Sequence, residues 1–429
     1  MMNILLKGGR VVDPSQNIDE EIDLLIKEGK IAQIGKDIDK NTIADSAPQT
    51  LNLEGKIVVP GLIDMHTHLR EPGFEYKETI QTGCQAAVAG GFTSIACMPN
   101  TNPINDNRSV TELIHRQAKR YNLANVYPIA AISRGSEGIT LTEFGDLKDA
   151  GAVAFSDDGK PVMNSALMRR ALEYAFSLDI PIISHCEDTT LSAGGLMNEG
   201  FVSTELGLQG IPNIAEDIMV ARDIAIADYT NTPVHIAHVS TAGSVRLIRA
   251  AKERGIKVTA ETAPHYFSLT DETLNKYDTC AKVYPPLRSA DDVTAIKEGL
   301  SDGTIDAIAS DHAPHSSIEK EVEFEYASSG MIGLETSLSL SLKLVAEGIL
   351  TLNQLILKMS TNPAGILRIP KGTLKIGSDA DITVIDTERE WTVDINTFRS
   401  KSKNSPFNGW KLKGMAVLTI MGGEIKYSV

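Results

Sequence analysis

The fold is decided by residues 60–70, which read Pro60-Gly61-Leu62-Ile63-Asp64-Met65-His66-Thr67-His68-Leu69-Arg70. The apolar run that begins at Leu62 predicts a buried strand, and polar side chains follow at its end. Residues two apart on an extended strand point the same way, so the imidazoles of His66 and His68 can reach one metal ion. A strand that ends in such ligands is typical of the active rim of a barrel.

Seven more apolar runs of this kind follow along the chain. The eight predicted strands are Leu62–His66, Thr93–Met98, Val126–Ile132, Val153–Phe155, Ile180–Ser184, Val234–Ala237, Lys257–Ala260 and Ala307–Ala309. Helical periodicity follows most of them, over Tyr76–Val88, Ser109–Arg120, Ser165–Leu178, Ile214–Ala227, Ser244–Arg254 and Glu335–Glu347. Eight strand–helix units in roughly 310 residues predict an α/β fold, a (β/α)8 barrel of the TIM type. A doubly wound open sheet is the alternative that the pattern leaves open.

The two ends of the chain differ from this middle part. Short strand-like runs separated by turn residues fill the first 57 residues, and the same style returns at Asp381–Ile385, Met415–Ile420 and Glu424–Tyr427. We therefore expect one small composite β-sandwich built from both termini. Its parts are placed at residues 1–58 and 372–429, and the metal-dependent catalytic barrel at residues 59–371.

Composition excludes several classes of protein. A chain of 429 residues with 42% hydrophobic residues can bury a large core without disulfides. A net charge of −15 disfavours nucleic acid and anionic membranes as partners, because both attract a basic face. The four cysteines lack C-x-x-C spacing, and no apolar run is long enough for a signal peptide or a membrane span. We expect a cytoplasmic protein.

Two further histidines, His185 and His238, stand directly after predicted strands. Four neutral imidazoles on one rim could hold two divalent cations only with anionic ligands as well. The candidates are Asp157 or Asp158 after one strand and Asp311 after another. Two ions about 3.5–4 Å apart can hold a hydroxide between them and polarise a carbonyl, which is metal-assisted amide chemistry. Asp311 is the best candidate for the general acid/base, because a carboxylate beside such a water can take its proton.

An anionic substrate of this acidic chain would need a local cationic pocket. Arg70 follows two residues after His68 and lies on the same face if the strand continues, where its guanidinium could bind a carboxylate with two parallel hydrogen bonds. Asn100, at the end of the second strand, and His315 could bind the same anion.

These residues resemble the metal-dependent amidohydrolase superfamily, and more narrowly the class I dihydroorotases of pyrimidine biosynthesis. The resemblance runs along the whole chain, at residues 60–70, Met98-Pro99-Asn100-Thr101, Ser156-Asp157-Asp158-Gly159, His185-Cys186-Glu187, His238-Val239-Ser240-Thr241, Pro285-Pro286-Leu287-Arg288, Ser310-Asp311-His312-Ala313-Pro314-His315 and Gly377-Ser378-Asp379-Ala380-Asp381-Ile382. It implies the same barrel and terminal β-sandwich.

The resemblance also implies a binuclear centre with one or two Zn²⁺ per chain. His66, His68 and Asp311 would hold one zinc, His185 and His238 the second, and Asp158 would bridge them. A carboxylated lysine is the bridge in hydantoinases and in the other dihydroorotase class, so an aspartate here favours class I. Arg70, Asn100 and His315 match positions that bind substrate.

Two departures from the family pattern concern the pyrimidine ring. Tyr284 stands where the family commonly has Asn, and Ser328-Ser329-Gly330 stands where Pro-Phe-Gly is usual. Tyr284, Ser329 and Gly330 are therefore expected to line the ring site, with less support from the resemblance than the metal ligands have.

The implied activity is the reversible cyclisation of N-carbamoyl-L-aspartate to L-dihydroorotate and water, by a metal-bridging hydroxide with Asp311 as general acid/base. Two alternatives remain open. One is a hydantoinase- or allantoinase-like cyclic amidohydrolase, and the other is a non-catalytic structural partner of aspartate carbamoyltransferase. The expected partners are the small-molecule substrate, further copies of the chain in a homodimer or higher oligomer, and aspartate carbamoyltransferase.

Overall fold

The computed structural model describes residues 3–38 and 48–429. The strands in these ranges are β1 (Ile4–Lys7), β2 (Arg10–Asp13), β3 (Ile18–Glu21), β4 (Asp23–Lys27), β5 (Lys30–Gly35), β6 (Gln49–Asn52), β7 (Ile57–Pro60), β8 (Leu62–Thr67), β9 (Phe92–Cys97), β10 (Asn125–Ala130), β11 (Ala154–Phe155), β12 (Ile183–Ser184), β13 (Met197–Asn198), β14 (Gly210–Ile211), β15 (Val234–Ile236), β16 (Val258–Thr262), β17 (Ala307–Ile308), β18 (Ile382–Thr392), β19 (Lys411–Met421) and β20 (Glu424–Ser428).

The α-helices are α1 (Ile80–Ala89), α2 (Arg108–Tyr121), α3 (Phe144–Asp149), α4 (Ser165–Ser177), α5 (Phe201–Leu206), α6 (Ile214–Thr230), α7 (Ala242–Glu253), α8 (Pro264–Ser268), α9 (Ala290–Asp302), α10 (Ser317–Lys320), α11 (Leu334–Ala346), α12 (Leu352–Ile356) and α13 (Asn362–Leu367). A π-helical turn, Leu357–Thr361, joins the last two.

Eight parallel strands form a closed ring. β8, β9, β10 and β11 make one four-stranded sheet, and β12, β15, β16 and β17 make another. Single parallel bridges join the two sheets at both edges, between Phe155 and Ile182 and between Thr67 and His312. Each predicted barrel strand overlaps one of these eight, with bounds that differ by one to three residues. The predicted (β/α)8 barrel is confirmed, and the open-sheet alternative is wrong because both sheet edges are paired.

The first predicted helix starts later than its pattern indicated. We placed its start at Tyr76, but α1 begins at Ile80. Thr79 is extended and its hydroxyl accepts a hydrogen bond from the main-chain N–H of Thr82, which caps the helix there. Residues 76–79 therefore belong to the loop that follows β8.

The two termini build the predicted sandwich. β5, β4, β1 and β6 form one sheet, and β20, β19, β18, β7, β2 and β3 form a second, so strands from both ends of the chain share it. A buried apolar cluster between the sheets contains Leu6, Leu24, Val58, Ile382 and Ile420. The boundaries at residues 58/59 and 371/372 stay a prediction. Residues 1–2 and 39–47 of the predicted N-terminal part lie outside the described residues.

Small and branched side chains from around the ring fill the barrel, including Ile63, Ala96, Ile129, Ile183 and Ala307, and α13 contributes to the same cluster. A larger cluster lies between the strands and the surrounding helices. This packing fixes the strand ends, where the polar residues lie. In residues 3–38 and 48–429, no helix combines the length and the apolar character needed to cross a bilayer.

Candidate active site

The six candidate metal ligands meet at the carboxyl ends of the barrel strands. His66 lies in β8 and His68 directly after it, while Asp158, His185, His238 and Asp311 follow β11, β12, β15 and β17. All six are between 1% and 8% exposed. Ligands that are distant in sequence become neighbours because parallel strands deliver their ends to one rim.

The first ligand set combines His66, His68 and Asp158, whose ligand atoms lie within 4.8 Å of one another. The Nε2 atom of His66 lies 3.4 Å from Asp158 Oδ1, and the Nε2 atom of His68 lies 3.6 Å from Asp158 Oδ2. Asp311 faces the same two imidazoles, with its Oδ1 atom 3.6 Å from His66 Nε2 and 3.2 Å from His68 Nε2.

The second ligand set combines Asp158, His185 and His238 within the same 4.8 Å limit. Asp158 Oδ1 lies 3.6 Å from His185 Nδ1 and 3.3 Å from His238 Nε2. The two imidazole nitrogens are 2.8 Å apart, which is a hydrogen-bond distance. Asp158 is common to both sets and could therefore bridge two ions.

These side chains fit a divalent metal. In a tetrahedral site with bonds of about 2.0–2.1 Å, neighbouring ligand atoms are about 3.3–3.4 Å apart, close to most of the distances between these atoms. His66 Nε2 and Asp158 Oδ1 are buried and have no hydrogen-bond partner among the described residues. A buried polar atom without a partner is costly, so its burial here is explained by a ligand. The nitrogen and oxygen donors suit zinc.

Groups behind the imidazoles orient three of them. His66 Nδ1 lies 2.6 Å from Glu261 Oε1, and His68 Nδ1 lies 2.9 Å from Asn100 Oδ1. His185 Nε2 lies 3.1 Å from Glu187 Oε2. An imidazole that donates one N–H to an oxygen leaves its other nitrogen free for a metal.

Sequence reasoning assigned no role to Glu187 or Glu261. Glu187 stands two residues after His185 in the motif His185-Cys186-Glu187, so its position beside a candidate ligand could have indicated a role. Glu261 lies inside β16 with no local pattern that marks it.

The electrostatics keep the central carboxylates ionised. Burial opposes the ionisation of Asp311, but the nearby imidazoles of His66 and His68 outweigh it and lower its pKa to about 2. Burial likewise opposes ionisation of Glu261, yet His66 and His235 lower its pKa to about 2. Ionised carboxylates among imidazoles are the charge pattern that a cation site needs.

The two neighbouring aspartates separate into different roles. Asp158 faces the imidazoles, whereas Asp157 accepts hydrogen bonds from the main-chain N–H of Ser133, at 3.0 Å, and from the Ser133 hydroxyl. Asp157 therefore fixes the loop that follows β10. Of the two carboxylates that the sequence left open, only Asp158 belongs to the ligand sets.

A cavity of about 310 Å³ opens above the candidate ligands. Its wall contains every predicted site residue except His66, which is 1% exposed beneath it. The lining residues are His68, Arg70, Asn100, Asp158, Gly159, His185, Glu187, His238, Tyr284, Asp311, Ala313, His315, Ser329 and Gly330. Its size suits a small ligand.

Arg70 reaches this cavity by a different route from the one we predicted. The strand ends at Thr67 and the chain turns, with Arg70 in the left-handed region at φ 62°. Its Nε atom donates to the carbonyl of Pro314 at 3.1 Å, which aims the guanidinium into the cavity. Burial lowers the pKa of Arg70 to about 10, so the group stays charged at neutral pH. His238 and Asp311 also have positive φ values, of 33° and 49°.

His315 lies between two cations. Its Nε2 atom is 3.3 Å from Arg70 Nη2, and its Nδ1 atom is 3.4 Å from Lys77 Nζ. Burial and these cations lower the pKa of His315 to about 2. His315 is therefore a neutral hydrogen-bonding group, and Arg70 supplies the positive charge at this part of the wall.

Tyr284, Ser329 and Gly330 form another side of the cavity. The hydroxyl of Tyr284 donates to the carbonyl of Gly195 at 2.8 Å, and burial raises its pKa to about 12. Gly330 has a φ of 137°, and a Cβ atom there would lie 2.8 Å from the Cβ of Ala313. Only glycine suits this backbone conformation and close approach.

Comparisons with known proteins decide the family. The Dihydro-orotase-like family matches residues 55–244. A dihydroorotase from Syntrophus aciditrophicus is 62% identical over 429 residues, covering 99% of both chains. One from Geobacter metallireducens is 60% identical over 426 residues, covering 99% of this chain and 100% of its own. The chain belongs to the dihydroorotase family. It is a cyclic amidohydrolase with dihydroorotase function, and its barrel carries candidate metal-binding groups.

Solved structures give the same fold. The L-hydantoinase (dihydropyrimidinase) from Arthrobacter aurescens has a TM-score of 0.87 and 28% identity to this dihydroorotase family member, covering 100% of it and 96% of its own chain. The dihydropyrimidinase from Brevibacillus agri NCHU1002 has a TM-score of 0.86 at 24% identity, covering 100% and 95%. The barrel with its terminal sandwich is thus shared with other cyclic amidohydrolases.

Proposed function

We propose that this enzyme is a class I dihydroorotase, which cyclises N-carbamoyl-L-aspartate reversibly to L-dihydroorotate and water in pyrimidine biosynthesis. The observation that carries the proposal is that two ligand sets share Asp158 at the floor of a cavity whose wall holds the buried cation Arg70. A metal-assisted amide reaction needs the two ligand sets, and an anionic substrate needs the positive charge of Arg70. The aspartate at the shared position, in place of a carboxylated lysine, supports class I.

The proposed metal is zinc, with one or two ions per chain. His66, His68 and Asp311 would hold one ion, and His185 and His238 the second, with Asp158 between them. A bound divalent metal supplies a water of lowered pKa and polarises the carbonyl that is attacked. The oxygen acceptors that face three of the imidazoles would hold one ring N–H of each and leave its other nitrogen for an ion.

Asp311 is the proposed general acid/base. In hydrolysis it takes a proton from the attacking water and passes it to the ring nitrogen as the carbon–nitrogen bond breaks. In cyclisation the ureido nitrogen attacks the carboxyl carbon, water leaves and one proton is taken up. The ring form is therefore favoured as the pH falls.

The substrate carboxylate would bind to Arg70, with Asn100 and His315 beside it. Asn100 uses its Oδ1 atom for His68 and keeps its amide N–H groups for a ligand. His315 is neutral and supplies a hydrogen bond only. Tyr284, Ser329 and Gly330 are proposed to surround the ring.

A hydantoinase-like activity is the second candidate, favoured by the likeness to the Arthrobacter enzyme. The test is to assay L-dihydroorotate beside dihydrouracil, hydantoin and allantoin with the metal-loaded protein. We expect turnover of dihydroorotate to dominate, because only that substrate carries a carboxylate for Arg70. Preferential turnover of an uncharged ring would contradict the proposal.

A purely structural role beside aspartate carbamoyltransferase has less support, because all six candidate ligand residues are present. Metal analysis after gentle purification tests it: a protein without bound metal would favour that role. A homo-oligomer, a complex with aspartate carbamoyltransferase and a cytoplasmic location stay predictions.

A further inference from the structure

Two loop segments without candidate metal ligands contribute to the cavity wall. One follows β17 and contains Ala313 and His315, and the other precedes α11 and contains Ser329 and Gly330. They pair through the main chain, since the N–H of Ala313 donates to the carbonyl of Met331 at 2.8 Å. We call them the 313–315 segment and the 328–331 segment.

Asn404 connects both segments from a distant part of the chain. It lies between β18 and β19, outside the barrel strands, and is 4% exposed. Its Oδ1 atom accepts from the N–H of His315 at 3.1 Å. Its Nδ2 atom donates to the carbonyl of Ala313 at 3.1 Å and to the carbonyl of Gly330 at 3.0 Å. One side chain therefore forms hydrogen bonds with three main-chain groups of the cavity wall.

Lys320 approaches the same glycine from the other side. It ends α10 and is 3% exposed. Its Nζ atom donates to the carbonyls of Ser328 at 2.7 Å and Gly330 at 3.0 Å, and lies 3.4 Å from that of Lys282. Carbonyl oxygens of three residues thus surround this buried ammonium.

We infer that Asn404 and Lys320 are positioning residues, which together fix the Gly330 peptide and the His315 main chain in the arrangement that binds substrate. The inference rests on the proposed function and deepens it, because neither side chain lines the cavity. Both donate a hydrogen bond to the Gly330 carbonyl and would act through it.

The conformation of Gly330 explains why such support is needed. Its φ of 137° is accessible to glycine, and glycine is also the most mobile residue when unsupported. A wall that orders only upon binding reduces affinity by the cost of ordering it. Loss of either side chain should therefore weaken substrate binding more than it slows the chemical step. The hydrogen bonds described for Asn404 and Lys320 go to the cavity wall and not to the side chains of Asp311 or the other metal ligands.

The test compares Asn404→Asp with Asn408→Asp in the metal-loaded enzyme. Asn404→Asp keeps the oxygen that faces His315 but places an anionic oxygen against two carbonyls. We expect KM for L-dihydroorotate to rise about tenfold or more, while kcat changes less and metal content stays the same. Asn408 is an exposed residue that also lies between β18 and β19. Its Oδ1 atom accepts from the N–H of Ile395, and its variant should keep the wild-type KM.

Lys320→Met and Lys320→Arg provide a second test of the inference. If Asn404→Asp does not fold, these two variants test the inference by themselves. Lys320→Met should raise KM, and Lys320→Arg should restore part of the loss because it keeps a donor. Unchanged KM in Lys320→Met, or in a folded Asn404→Asp, overturns the inference while wild-type turnover still supports the proposed function. Equal losses of kcat and of bound metal would also overturn it. A wild-type protein without dihydroorotate turnover overturns both.

Discussion

Asp158 and Asp311 face the same imidazoles but differ in what else surrounds them. Asp158 has His185 and His238 on its other side, so it lies between the imidazoles of both ligand sets. Asp311 stands beside Ala313 at the cavity wall, where its carboxylate has an open side. A carboxylate between imidazoles on both sides suits a bridge, and one with imidazoles on one side only suits proton transfer.

Replacing Asp311 by Ala should lower kcat at least about a hundredfold, because the variant loses the group proposed to carry the proton between the attacking water and the ring nitrogen. Metal content should largely persist, since Asp158 and the four imidazoles remain. Steady-state kinetics with dihydroorotate and elemental analysis measure both effects. Asp149→Ala, an exposed change at the end of α3, is the matched control. Near-normal turnover of the Asp311 variant would exclude the assigned role.

Replacing Arg70 by Lys should raise KM for dihydroorotate with a smaller effect on kcat. Lysine keeps the charge but loses the planar fork and the hydrogen bond to Pro314 that aims it. The exposed Arg134, paired with Glu143, offers a control change to Lys that should leave KM unaltered. If Arg70→Lys has the kinetics of the wild type, carboxylate recognition at this position is refuted.

At the scale of elements, the loop between β8 and α1 links the first metal ligands to Arg70. Glu78 anchors the loop: it is fully buried, and its carboxylate accepts from the hydroxyl of Ser400 at 2.5 Å and from the N–H of Lys401 at 3.2 Å. Thr79 then ends the loop by capping α1. The position of Arg70 thus depends on two successive anchors rather than on an extended strand.

Thr79→Ala should lower the free energy of unfolding by about 1 kcal/mol, because the N–H of Thr82 loses its acceptor. Urea denaturation of the metal-loaded protein measures this change. Ser109→Ala, at an exposed position in the first turn of α2, should be close to neutral, since Asn107 caps that helix. Equal midpoints for the two variants would show that the Thr79 cap contributes nothing measurable.

At the scale of the whole molecule, the sequence predicts the barrel because each strand is a short apolar run that stops at polar residues. The eight runs, from Leu62–His66 to Ala307–Ala309, needed no tertiary information. The candidate site residues could also be collected, since strand ends share one rim. Their roles stay predictions, although the structure brings all of them to one cavity or directly beneath it.

What the sequence could not supply depends on how the chain turns between elements. Asp157 and Asp158 are adjacent, so only the backbone after β11 decides which one faces the imidazoles. Asn404 lies 74 residues from Gly330 and carries no motif of its own. Contacts of this kind are set by how the terminal segment packs on the barrel, and no local periodicity reports them.

Glu335 links the barrel to that terminal segment and should make stability depend on pH. In α11, it accepts from the N–H groups of Arg399 and Ser400, while burial raises its pKa from 4.5 to about 7. The folded protein therefore keeps a proton that the unfolded chain releases at lower pH. This contribution is complete below the unfolded pKa of 4.5 and is lost as the pH rises through 7.

Glu335→Gln should remove this dependence. Between pH 5 and pH 8, we expect wild-type stability to fall by about 2–3 kcal/mol relative to the variant. Urea midpoints at the two pH values measure the difference. The exposed Glu137→Gln variant should follow the wild type. Parallel curves for the wild type and Glu335→Gln would contradict the assignment.

The ring of eight strands consists of two four-stranded halves joined by narrow seams. At one seam the N–H of Phe155 donates to the carbonyl of Pro181, and at the other the N–H of His68 donates to that of His312. Asp158 belongs to one half, while His185 and His238 belong to the other. The contacts between these side chains therefore cross a seam that has little main-chain pairing. A cation bound by residues of both halves would hold the two halves of the barrel together. Chelation should then speed amide hydrogen exchange at Phe155 ahead of exchange inside either half.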